Sequence, residues 1–246
     1  MSLRFDTAVF SEPGHREVNQ DWAGFAEADG FACWALADGL GGHGGGELAA
    51  HIAVDAVVAR FTGQPGDPAP LLSAAQQAVL DGQKANPMQA QMRTTIVVLV
   101  AGEGGARWIH CGDSRLYLFR GGRVHHQTLD HSVPQSLVEA GKIGPTQIRN
   151  HEDRGRLLHS LGTAGSSAAA GWTPDIGGPV LLAPTDAFLL TSDGFWEWVT
   201  EIEMEAELAK ATSAQAWLDG MRARIPPATP ENDRDNATAI AIMINE

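Results

Sequence analysis

Four aspartates of this chain share one kind of position: each stands where an apolar, strand-like run meets a turn. Asp38 follows the run 33–37 (CWALA) and precedes Gly39; Asp113 follows 108–112 (WIHCG). Asp193 follows 188–192 (FLLTS) and precedes Gly194; Asp235 precedes Asn236 and a last apolar run. Carboxylates at strand ends can point into one cleft, and a neighbouring glycine lets a backbone carbonyl come close to a cation. A donor set made only of oxygens suits hard octahedral ions, Mg2+ or Mn2+. Zinc would ask for His and Cys at short spacing, and the chain has neither CxxC nor HxxxH. Taken singly, each aspartate reads more often as a turn former than as a ligand; the four together shift the reading toward a site. Arg16, in the polar stretch 15–21 (HREVNQD), adds a candidate anion binder. A guanidinium beside a two-cation cleft could hold phosphate oxygens bidentately, whereas alone it would read as a solvated surface residue.

These residues need a scaffold of strands that end together. Strand-like runs lie at 7–10, 22–28 and 31–37, the last two joined by Asp29-Gly30, a strong hairpin signal. Further strands are expected at 94–101, 107–111, 116–120, 123–128, 180–182, 187–191 and 237–244. The run 94–101 (TTIVVLVA) is apolar throughout, as in a strand buried on both faces. Helical spacing marks 47–61, 71–84, 201–211 and 214–224. Strands thus come in hairpins and helices in pairs, which is not βαβ alternation. The expected class is α+β: two packed antiparallel sheets flanked by helix pairs. The polar, glycine-punctuated stretch at about 133–160 reads as a surface subdomain.

Composition narrows the partners. The 246 residues carry 17 Lys+Arg against 30 Asp+Glu, a net charge of −13, which argues against nucleic acid. No run of about 18 apolar residues is present, so no membrane span is expected, and neither is a cleaved leader. Cys33 and Cys111 form no disulfide framework, and neither opens the Cys-(x)5-Arg loop of a cysteine phosphatase. The expectation is a cytoplasmic protein with buried thiols.

In order along the chain, the motifs resemble those of the PP2C-type (PPM) metal-dependent serine/threonine protein phosphatases in their short bacterial form. The matching residues are Arg16 with Asn19-Gln20-Asp21, Ala37 through Glu47 (ADGLGGHGGGE), Thr94-Thr95, and Gly112-Asp113-Ser114-Arg115-Leu116-Tyr117. They continue through Thr128-Leu129-Asp130-His131-Ser132, Leu161-Gly162, Thr191-Ser192-Asp193-Gly194 and Asp235-Asn236-Ala237-Thr238. The resemblance implies a four-layer αββα sandwich over residues 1–246, with 133–160 as a flap. It implies two Mn2+ or Mg2+ ions, with Asp38 bridging them, the Gly39 carbonyl on one, Asp193 and Asp235 on the other, and Asp21 acting through metal-bound water. Asp113 with Asp193 would hold a third, weaker ion. Arg16 would bind the substrate phosphate and His43 would be the proton donor.

The implied reaction is hydrolysis of phosphoserine and phosphothreonine in proteins. Two cations acidify a bridging water and neutralise the phosphoryl oxygens, while Arg16 orients the group. The implied partners are a phosphorylated protein and a cognate Ser/Thr kinase. A pseudo-enzyme would be expected to lack a metal aspartate, and all four are present; a regulator of one dedicated phosphoprotein differs only in substrate. The sequence departs from the family pattern at Arg93, at Arg154-Gly155, and at 195–198 (FWEW). The last segment resembles that of phosphatases attached to type VI secretion clusters, although Trp196 and Trp198 read first as core or flap packing. His51, His110, His125, His126 and His131 are expected to be structural.

Overall fold

The computed structural model describes residues 3–41, 45–63, 66–163, 174, 176–229 and 234–245. One sheet has the strand order β1 (Arg4–Glu12), β11 (Ala237–Asn245), β10 (Ala187–Thr191), β7 (Arg115–Arg120), β8 (Arg123–Gln127). The other has the order β2 (Asp21–Ala28), β3 (Phe31–Leu40), β5 (Ile96–Gly102), β6 (Gly105–Cys111), β9 (Ile176–Val180), with the short β4 (Arg93–Thr94) paired to β3. Every pairing is antiparallel.

Side-chain alternation along the strands builds the layers. In β3, Ala32, Trp34 and Leu36 face the other sheet, where they meet Leu116, Phe188, Leu190 and Ile242. The alternate residues Cys33, Ala35 and Ala37 face the helices α1 (Gly45–Arg60) and α2 (Ala69–Ala85). The first sheet buries its outer face under α4 (Asp193–Trp196), α5 (Glu201–Leu208) and α6 (Ala214–Arg222). Strands covered on both faces must be apolar throughout, which explains the composition of β5 and β11. The result is the four-layer αββα order expected from the sequence.

Three local expectations change. The run 94–101 is not one strand: it breaks at Thr95, because the Thr95 hydroxyl accepts the Asp38 N–H (2.9 Å) and the Thr94 hydroxyl donates to the Asp38 carbonyl (2.8 Å). The strand expected at 180–182 instead runs Ile176–Val180. Gly177 stands opposite Trp108 of β6, where any Cβ would overlap the indole, and an edge strand tolerates Pro179. Asp193 does not sit in a turn; it opens α4, behind Ser192.

The stretch 133–160 carries α3 (Val133–Glu139) and a 3-10 turn at Pro145–Asn150, and it is tied to the body. Ile148 is buried in the core of the first sheet, Arg149 pairs with Glu201 (2.9 Å), and Arg154 pairs with Glu197 (2.5 Å). No helix among the described residues is long and apolar enough to cross a membrane.

Candidate metal centre

The first carboxylate pair is set by a turn. Asp29 and Gly30 both take positive φ, 53° and 79°, the requirement of a two-residue type I′ hairpin. Register then places Asp21 directly opposite Asp38 across β2 and β3. Asp21 is buried, and its Oδ2 accepts the Ser192 hydroxyl at 2.7 Å. Its Oδ1 is buried and has no hydrogen-bond partner among the described residues. An orphaned carboxylate oxygen is costly unless a cation meets it.

Gly39 follows in β3 with its N–H on the Gln20 carbonyl (3.1 Å). A Cβ at Gly39 would strike the Gly46 carbonyl and approach the Gln20 carbonyl to 2.7 Å. Only glycine allows this close packing of the α1 start on the strand.

Asp113 lies in the β6–β7 turn, after Gly112 (φ 108°), whose N–H donates to His131 Nδ1 (3.1 Å). Its backbone carbonyl accepts the Trp196 indole N–H at 3.0 Å. Trp196 is itself stacked under the Arg115 guanidinium, 3.5 Å from the ring centroid, and Arg115 is held by Asp130 through two bonds of 2.8 Å. Trp196 is thus core packing, as expected, and also a brace for Asp113.

Asp193 and Asp235 are brought together by Gly194: a Cβ there would overlap the Asn236 carbonyl. Asn236 clamps the two ends of the site. Its Oδ1 accepts the Gln20 N–H (2.8 Å), and its Nδ2 donates to the carbonyls of Pro13 (2.9 Å) and Val18 (3.1 Å). This holds the 13–20 loop, and with it Arg16, whose guanidinium makes two bonds to the Asp235 carboxylate, 3.0 and 2.9 Å.

The electrostatics report one shared field. Burial pushes the Asp38 carboxyl well above its ordinary range, and the charges of Asp193, Asp21, Asp113 and Asp235 push it further. Burial likewise raises Asp21 to about 6, against the Ser192 hydrogen bond. Asp193 rises to about 7 through burial, then Glu197, Asp235 and Asp21. Asp113 is raised well above its ordinary range by burial, then by Asp193 and Asp130, with Arg115 opposing. Among the described residues no group of three His, Cys, Asp or Glu side chains stands ready to hold an ion as it is. Oxygen donors alone, an unpartnered buried Oδ1, and mutual repulsion that cations offset fit Mg2+ or Mn2+.

Arg16, Asp21, Asp38, Gly39, Asp113, Asp193 and Asp235 are therefore gathered at one end of the sandwich. His43 lies outside the described residues. Sequence reasoning gave no role to Ser192, Asn236 and Thr95, which hold the aspartates. The available signal was a polar residue flanking an apolar run, as in Thr94-Thr95 before 96–101.

The protein phosphatase 2C family pattern matches residues 14–138. Protein phosphatase PhpP of Streptococcus pneumoniae is 28% identical over 250 residues, covering 98% of each chain. The PPM Ser-Thr phosphatase MsPP of Mycobacterium smegmatis, solved in complex with cacodylate, is 31% identical, with TM-score 0.76 over 96% of this chain and 97% of that one. The catalytic domain of the serine/threonine phosphatase PstP, solved with two manganese ions, is 25% identical, with TM-score 0.81 over 99% of this chain and 100% of that one. With pattern, length and fold in agreement, this chain belongs to the protein phosphatase 2C family.

Proposed function

We propose that the chain hydrolyses phosphoserine and phosphothreonine monoesters in proteins. Asp21, Asp38, Asp193, Asp235 and the Gly39 carbonyl would hold two Mn2+ or Mg2+ ions, and Asp113 with Asp193 a third, weaker one. The observation that carries this reading is Asp38, which stands directly opposite Asp21 and whose carboxyl is raised by burial and then by the charges of Asp193, Asp21, Asp113 and Asp235. When bound, the ions would supply an acidified water and positive charge against the phosphoryl oxygens. The chain's own residues do the positioning. Ser192 fixes Asp21; Trp196 fixes the backbone of Asp113. Arg16 presents two parallel N–H donors, now on Asp235, in the form a phosphate accepts. His43 would give the leaving alkoxide its proton.

Residues 1–246 would act as one domain, with 133–160 as the flap, on phosphorylated proteins in the cytoplasm, opposing a Ser/Thr kinase. A setting in type VI secretion control, which the 195–198 segment suggests, is the finer part of this reading; Phe195 and Trp196 themselves are buried in the core. The test is release of phosphate from p-nitrophenyl phosphate and from a phosphothreonine peptide. Turnover is expected with Mn2+ and none in EDTA; full activity in excess chelator overturns the reading.

A further inference from the structure

β1 and β2 are the edge strands of the two sheets, and between them the sandwich opens in a groove of about 540 Å3 that reaches Asp21. Its floor is apolar and partly open to solvent: Val9 is 42% exposed, Val18 44% and Trp22 38%. Trp22 is no loose side chain. Its indole stacks on the His51 ring of α1, with centroids 3.6 Å apart and planes inclined by 22°, which makes a rigid aromatic shelf. The rim carries two exposed carboxylates, Glu17 beside Arg16 and Glu47 in the first turn of α1, and among the described residues no Lys or Arg lines the groove.

Single exposed apolar residues are ordinary. Here two of them, Val9 and Val18, accompany the stacked Trp22, beneath two acids, in a groove that reaches Asp21 of the candidate centre. A phosphorylated side chain seated between Arg16 and Asp21 brings its own backbone to this opening. Extended chain advances about 3.3 Å per residue, so the residues one to three places away fall within the groove. An apolar side chain suits the shelf. A Lys or Arg suits the two carboxylates and the Trp22 face. A bare anionic flank would meet Glu17, Glu47 and a net charge of −13.

Resting on the phosphatase reading above, we infer that this groove docks the residues flanking the phosphoresidue and selects flanks in which Lys or Arg adjoins an apolar side chain. Turnover is measured with the full Mn2+-loaded chain on four substrates: p-nitrophenyl phosphate, which has no flank, and phosphothreonine peptides flanked by Arg-Leu, Glu-Leu or Arg-Ser. The Arg-Leu peptide should exceed Glu-Leu by about three- to tenfold in kcat/KM, with the gap narrowing as salt rises. The surface double variant Glu17→Lys/Glu47→Lys should reverse that order. Trp22→Ala should erase the advantage of Arg-Leu over Arg-Ser. Both variants should leave p-nitrophenyl phosphate turnover unchanged. Equal hydrolysis of all three peptides, or a charge-reversed variant that still prefers the basic flank, overturns the docking proposal while p-nitrophenyl phosphate turnover leaves the phosphatase reading standing. If the wild-type chain hydrolyses none of the four, both fall.

Discussion

Arg16 grips Asp235 through two parallel bonds, Nε to Oδ1 at 3.0 Å and Nη2 to Oδ2 at 2.9 Å. A candidate phosphate binder and a candidate cation ligand are thus each other's counter-charge. The pair is half exposed, so it contributes little to folding, but it does set a competition. Arg16→Ala removes the counter-charge of the Asp235 carboxylate and leaves it the Asn236 N–H (2.9 Å). Calorimetry should show Mn2+ binding that is tighter than wild type, while inhibition by inorganic phosphate weakens by about tenfold. Weaker Mn2+ binding in this variant would mean that Arg16 supports Asp235 rather than competing for it.

The raised aspartates make stability depend on pH. A carboxyl whose folded pKa lies above its ordinary 3.8 binds its proton more tightly in the native chain. Its contribution is complete below about 4 and is lost as pH climbs through about 6 for Asp21 and about 7 for Asp193. In EDTA, Tm should therefore fall as pH rises from about 5 to 7.5. Mn2+ added at the upper end should restore it by mass action. Asp38→Asn should raise Tm there and flatten the slope, since it removes the charge that the other four aspartates oppose. A Tm that climbs with pH in EDTA would contradict this sign.

Substitutions at the carboxylates should separate by role. Asp38→Ala should abolish turnover while the near-ultraviolet circular dichroism stays native; near-normal turnover would remove Asp38 from the centre. Asp113→Ala should keep two ions bound by calorimetry yet lower turnover, whereas loss of all metal binding would place Asp113 in the main pair.

Trp196→Phe keeps most of the buried volume but deletes the N–H that the Asp113 carbonyl accepts. Chemical denaturation should show a loss of about 1–2 kcal/mol. Turnover should fall toward the Asp113→Ala value; unchanged turnover would make Trp196 packing only.

His43→Ala tests the proton donor. Serine and threonine alkoxides leave poorly without a proton, whereas p-nitrophenolate needs none. The variant should therefore slow phosphothreonine peptide hydrolysis far more than p-nitrophenyl phosphate hydrolysis. Equal slowing of both at saturating metal would make His43 a brace of the glycine loop.

Much of this was legible because it is local. Asp29-Gly30 announces its hairpin, and eight residues back (29 − 21) and eight forward (38 − 30) stand Asp21 and Asp38. The apolar runs likewise announced the buried strands and hence the layers. What the sequence hid depends on distant pairs. Arg16 and Asp235 are 219 positions apart, and no periodicity links them. The α4 helix is one turn long, too short for a 3.6-residue pattern, so Asp193 looked like a turn residue. The brace from Trp196 through Arg115 to Asp130 needs three elements in place before any contact exists. Ile176-Gly177-Gly178-Pro179 carries turn composition, and only its pairing with β6, which sets Gly177 opposite Trp108, makes it a strand.

β11 lies between β1 and β10, and Asn236 at its threshold clamps the 13–20 loop. In a chain made from its N-terminus, this strand is synthesised after every other element of the domain. The ribosome must therefore deliver residues 235–245 before β1 is joined to β10 in the first sheet or the candidate centre has its last carboxylate. A nascent chain halted short of them exposes the β1 and β10 edges that β11 pairs with, and it lacks Asp235 and the Asn236 clamp on the 13–20 loop.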